Sequence, residues 1–134
     1  MGIQFSVAVR NARLNSIQTT IGTTAHLKIM AGSLPANAAA ADTGTVLANI
    51  SLPDPYLAQA ANGAVALTGS WTASTTGAGT ATYWRIYAAD GTTCHIQGSA
   101  GMAASGADMI LDNTNIAVGQ TITVGTFNLT SGNA

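Results

Sequence analysis

The sequence has no glutamate and one lysine, and charged residues amount to 7% of it, against roughly 25% in an ordinary soluble domain. Four basic residues, Arg10, Arg13, Lys28 and Arg85, cannot supply a stripe for a phosphate backbone, which argues against a nucleic-acid partner. The lone cysteine, Cys94, excludes an internal disulfide. No apolar run approaches the roughly 20 residues of a membrane span. The N-terminal stretch MGIQFSVAVRNARL has no apolar core long enough for a secretion signal. The expectation is a protein made in a cytoplasm and not inserted in a membrane. Glycine-rich fingerprints for phosphates or dinucleotides are missing, as is the Gly-x-Ser-x-Gly nucleophile turn.

Alanine, glycine, serine, threonine and asparagine fill the space that charge leaves, and the net charge is −1. Such a surface offers little repulsion between copies, and a charge near zero favours association. The composition points to a protein that works inside an assembly. At 134 residues the chain reads as a single domain over 1–134, large enough to bury about 68–70% of its unfolded surface without a staple.

One helix is expected, over residues 7–21. Ser6 is its N-cap, Val7, Leu14, Ile17 and Ile21 form one stripe at helical spacing, and Gly22 closes it. Arg10 and Arg13 fall off that stripe or at its edge, free to pair, to contact a neighbouring subunit or to stay solvated. From residue 25 the pattern changes to period two. Leu27 and Ile29 alternate with polar neighbours, as do Val46, Ala48, Ile50 and Leu52, then Val65, Leu67 and Trp71, then Met109 and Leu111. Ser33–Gly44 reads as a small-residue loop, Tyr56–Asn62 as a short helical turn and Asn62-Gly63 as a tight turn. In Thr121–Thr130 the inward parity flips from Ile122 and Val124 to Phe127 and Leu129, which calls for a β-bulge at Gly125. About seven short strands and one helix are the cue for an all-β fold, an antiparallel sandwich of jelly-roll type.

The stretch TATYWRIYAADGTTCHIQGSA, residues 80–100, reads as a hairpin turning at Asp90-Gly91. A three-residue loop, Ala89-Asp90-Gly91, pairs Ala88 with Thr92 and separates a dry face from a wet one. Trp84, Ile86, Ala88, Cys94 and Ile96 are then dry, and Tyr83, Arg85, Tyr87, His95 and Gln97 wet. The wet face has the residue types of an interface hot spot. It also suits packing under another element, or sugar binding. We take Tyr83, Arg85, Tyr87, His95 and Gln97, with Arg10 and Arg13, as the candidate interface.

Candidate chemistry is sparse. Cys94 and His95 are adjacent in a strand and point apart, so they make no nucleophile–base pair. Two histidines at no zinc spacing suggest no metal. Asp108 and Asp112 on one strand face are about 13–14 Å apart, too far for a pair of glycosidase carboxylates. Asp112-Asn113-Thr114-Asn115 reads as an Asx turn rather than a calcium loop. The expectation is a non-enzyme with no cofactor.

Three segments, QFSVAVRNARLNSIQTTIG, RIYAADGTTCHIQGS and FNLTSGNA, resemble a family of small proteins encoded among the virion-building genes of tailed bacteriophages and prophages. The resemblance spans nearly the whole chain and carries no catalytic motif. It implies a structural component of the virion: capsid decoration or cement, or a part of the head–tail junction. The implied partners are other virion proteins and copies of itself. Synthesis would be in the host cytoplasm, and the mature location the virion. The alternative is a tail or fibre module that binds host glycan through Tyr83, Tyr87 and their neighbours.

Overall fold

A computed structural model describes residues 3–131, and the closing GNA of the third family-like segment lies outside them. The helix α1 spans Val7–Ile21, within the limits expected. The Ser6 hydroxyl accepts the Val9 amide at 3.2 Å, and the Gly22 amide reaches back to the Gln18 carbonyl. Leu14 and Ile21 are buried and Ile17 packs against the core, while Val7 stays exposed. A second stripe, Asn11, Asn15 and Gln18, runs beside the apolar one. Its side-chain oxygens accept the backbone amides of Gly63, Ala60 and Leu57 at 2.8, 3.0 and 2.8 Å. The spacing of these three residues puts them on one helix face. The helix is therefore fastened to the sheet by amides as much as by apolar contact. No helix among the described residues is long and apolar enough to cross a membrane.

Among the described residues ten short strands follow: β1 His26–Ala31, β2 Thr45–Ser51, β3 Ala64–Ala66, β4 Thr72–Ser74, β5 Gly79–Thr80, β6 Tyr83–Tyr87, β7 Cys94–Gly101, β8 Met109–Leu111, β9 Asn115–Ile116 and β10 Thr121–Thr130. Eight belong to one sheet, ordered β2-β1-β6-β7-β8-β10-β3 with β4 also on β10, and β5 pairs β9. The protein is mostly β with one helix. The sheet is mixed rather than wholly antiparallel, because β7 and β8 run parallel. Its ends approach each other: the amides of Thr76 and Gly77, just past β4, both reach the Leu47 carbonyl of β2. Tyr56–Asn62 is not helical; Leu57 and Ala61 bridge to Leu67 and Ala64. Ala61 and Ala64 exchange two hydrogen bonds around Asn62 and Gly63, both at positive φ, the signature of a type I′ hairpin turn.

The parity flip in β10 is real. Its register against β8 shifts between Val124 and Thr126, across Gly125. The shift turns Phe127 inward, where its ring lies 5.4 Å from Trp71 and 5.0 Å, edge-on, from Trp84, and Trp71 lies 6.5 Å from Tyr56. Such ring contacts add about 0.5–1.5 kcal/mol each beyond the area they bury. β10 thus serves β4, β8 and β3 in turn along its length.

Gly63 joins the turn to the helix. Its φ is 73°, and a Cβ there would meet the Arg10 guanidinium at 2.3 Å. Gly63→Ala is expected to lower stability by about 1–3 kcal/mol, the usual cost of a side chain held in the left-handed region. Urea unfolding of the two proteins measures it, and an unchanged midpoint would contradict the turn geometry.

Candidate functional site

Tyr83, Arg85, Tyr87 and Gln97 of the candidate interface meet on one face of β6 and β7, continued by Lys28 of β1. Alternation and register set this: Lys28 opposes Arg85, Met30 opposes Tyr83, His26 opposes Tyr87, and Arg85 opposes Gln97. The face is not wet, however. Tyr83, Arg85 and Tyr87 are each 1% exposed. The roof is Ser33–Thr43, a loop whose stems, Gly32 and Gly44, lie side by side at positive φ. A Cβ on Gly44 would fall 1.9 Å from the Ala31 carbonyl oxygen. A compact loop of this length with touching ends is an Ω-loop, and its run of alanines lets the backbone come close to the sheet.

Arg85 is the post under that roof. Its Nη1 pairs with Asp42 Oδ1. Its Nη2 donates to the carbonyls of Ala38 and Ala40 at 2.8 Å, and of Asn37 at 3.4 Å. The Tyr87 hydroxyl donates to the same Asp42 oxygen. Lys28 Nζ lies 3.9 Å from Asp42 Oδ2, 4.3 Å from the Tyr87 ring centroid, and donates to the Gly91 carbonyl at 3.0 Å. The Tyr83 hydroxyl donates to the Thr43 carbonyl and Gln97 Nε2 to the Pro35 carbonyl. Beside the post a cavity of about 420 Å³ lies between the loop and the hairpin turn, lined by Lys28, Asp42, Arg85 and Cys94 among others.

The hairpin register corrects two assignments. Ala88 bonds Thr93 rather than pairing with Thr92. The cause is Asp90, whose carboxylate accepts the amides of both Thr92 and Thr93 and the Thr93 hydroxyl, drawing a fourth residue into the loop. The register then shifts again, since Ile86 opposes Ile96 while Tyr87 opposes Cys94. His95 is the extra residue. Cys94 therefore lies half-buried by Arg85 and not in the dry core. His95 is exposed and lines a cleft against the helix with Ile17 and Ile21, away from Tyr87 and Arg85. Arg10 is tied to the fold, its Nε donating to the Ser131 carbonyl at 2.6 Å. Arg13 is exposed and sits 5.1 Å over the Phe5 ring. Of the expected set, only Arg13 and His95 present a free surface.

Charge states follow from the packing. Burial works to raise the Asp42 carboxyl, but hydrogen bonds from Tyr87 and Arg85 and the charges of Arg85 and Lys28 outweigh it and hold it below its ordinary 3.8. Burial works to lower Arg85, and the hydrogen bond to Asp42 together with Cys94, Tyr87 and the Asp42 charge more than reverses that. Burial, then the hydrogen bond to Asp42, pushes the Tyr87 hydroxyl far up. Burial also raises the Cys94 thiol, against the opposing charge of Arg85. At neutral pH the cluster is thus a charged Asp42–Arg85 pair with a protonated tyrosine and thiol. Among the described residues no group of three His, Cys, Asp or Glu is placed to hold a metal.

Two features escaped the sequence reading. One is the amide stripe Asn11, Asn15 and Gln18, for which the i, i+4, i+7 spacing was the available signal. The other is an apolar patch at the helix entrance: Ile3 is 79% exposed, with Phe5, Val7 and Val9 each more than 40% exposed. No family model, no curated protein and no solved structure matches the chain.

The Asp42 pair makes stability acid-sensitive. With a folded pKa below its unfolded one, the carboxylate contributes fully above about pH 4 and the contribution is lost as pH falls through the folded value. Urea midpoints at pH 6 and pH 3 should differ more for the native protein than for Asp42→Asn. Equal differences would mean that Asp42 carries no such load. Arg85→Lys, which keeps one charge but cannot span Asp42 and the loop carbonyls together, should also lower the pH 6 midpoint.

Proposed function

We propose that the protein is a non-enzymatic structural component of a tailed-phage virion, a capsid decoration or cement protein or a piece of the head–tail junction. It works by burying surface against other virion proteins and against copies of itself, with no cofactor, nucleic acid or membrane involved. It is made in the host cytoplasm and resides in the particle. One observation carries the reading: the fold uses most of its few charges internally and leaves apolar side chains outside. Lys28, Arg85 and Asp42 hold the roof, and Arg10 holds the C-terminal end of β10. Ile3, Phe5, Val7 and Val9 stay exposed at one end of the helix. The family-like segments support the same reading. We also read the curled sheet as a jelly-roll-like sandwich, supported by β10, which bends at Gly125 and pairs with three other strands.

The glycan-binding alternative loses its surface. Sugar faces stack on exposed aromatic rings, and Tyr56, Trp71, Tyr83, Trp84, Tyr87 and Phe127 are all buried, leaving Phe5 as the exposed ring among the described residues. The test of the main reading is to look for the protein in purified particles by mass spectrometry and to titrate it onto heads that lack it. Presence in particles together with saturable binding at a fixed copy number is expected. Absence from particles and no binding to heads or tails would overturn it.

A further inference from the structure

Two charged side chains remain once the fold has used the others. Asp90, Asp108 and Asp112 accept backbone amides of Thr92 and Thr93, Ser99, and Thr123 respectively. Arg10, Lys28, Arg85 and Asp42 are committed as described above. Arg13 and Asp54 are both exposed, and neither side chain has a hydrogen bond or ion pair among the described residues. They mark two different places. Arg13 stands beside the apolar N-terminal arm, over Phe5. Asp54 precedes Pro55, which lines a cleft of about 380 Å³ between the helix and the segment after β2. The cleft has Leu14, Leu57 and Val65 in its wall and Gln18 and Gln59 at its polar side, with no charged residue. Residues 3–9 of the arm carry no charged side chain either.

We infer that the arm of one copy seats in the helix-flanking cleft of the next, with Arg13 of the first beside Asp54 of the second. The chemistry matches: an uncharged apolar insert, an uncharged partly apolar cleft, and one opposite charge flanking each. The arm does not occupy its own cleft: Ile3 is 79% exposed, the Phe5 ring lies under Arg13, and no arm residue is among those lining the cleft. The contact joins different segments of the two copies, so it forms either reciprocally across a twofold axis or head-to-tail, where repeating it gives a closed ring or an open filament. The inference names the self-contact of the virion reading and rests on it for its biological setting, but it is tested on purified protein alone.

The test is sedimentation velocity across a concentration series. Ile3→Asp combined with Val7→Asp should weaken self-association at least tenfold while leaving thermal unfolding near that of the native protein, because an acidic residue in a helix's first turn is well placed. Arg13→Glu and Asp54→Lys should each weaken association, and the double reversal should recover it. Ile3→Cys on one copy should cross-link, through a short bis-maleimide, to Ala58→Cys on another, with Cys94→Ala in both. A protein that stays monomeric at high concentration overturns the inference, as do charge reversals without effect or cross-links that join only two copies of the Ile3→Cys variant. Binding to heads by a strictly monomeric protein would sink this contact and leave the virion reading standing. Self-association through the arm by a protein absent from particles would do the reverse.

Discussion

A buried guanidinium governs much of this molecule. Taking an arginine out of water costs several kcal/mol unless its charge is paired and its donors are met. Arg85 stands in the middle of the sheet, on β6, and its side-chain hydrogen bonds go to the loop rather than to the strands beside it. The loop between β1 and β2 meets most of those needs, bringing one carboxylate and three carbonyls. The loop in turn requires small residues, for close approach, and Gly44, where any side chain would strike the Ala31 carbonyl. The dependence is mutual: without the loop Arg85 would be stranded, and without Arg85 an alanine-rich loop has little to order it.

The other long-range tie is the helix. It offers a narrow apolar edge, Leu14, Ile17 and Ile21, and would be weakly held by that alone. The amide stripe adds three side-chain to backbone bonds, Arg10 adds one more at Ser131, and the Tyr56 hydroxyl donates to the Gly22 carbonyl at 3.1 Å. Burial, with the Asp54 charge, pushes that hydroxyl up to about 12, so the clamp keeps its proton across any physiological range. Clefts on both flanks of the helix are what remains where side chains do not fill the join.

The sequence made the regular parts legible. Helix α1, strand β10 and the Gly125 bulge each rest on a pattern within a short window: a cap, a period, a parity change. The hairpin faces of Tyr83 to Ile86 were legible too, since a two-residue offset leaves parity intact. What failed was the step past them. One extra residue at His95 undid the assignments of Cys94 and His95, and no local letter marks it. The roof was illegible for a different reason. Ser33–Gly44 has the composition of a linker, and the residue that orders it, Arg85, is 43 positions beyond Asp42 in the chain. A polar-aromatic strand face looks the same in sequence whether water or a loop covers it, so Tyr83, Arg85 and Tyr87 read as surface. The Asn11, Asn15 and Gln18 stripe was visible as spacing, yet its meaning depended on backbone amides some 40 to 50 residues away.

The amides of Leu57, Ala60 and Gly63 are the groups a foreign strand would seek when annealing onto this rim of the β-structure. In a chain with so little charge to keep copies apart, an open rim of that kind invites indefinite fibrous stacking. The three helix side chains occupy those donors beforehand, like stoppers in a row of sockets. Main-chain pairing at this rim is thereby blocked, and what the rim offers a neighbour is side-chain shape rather than backbone donors.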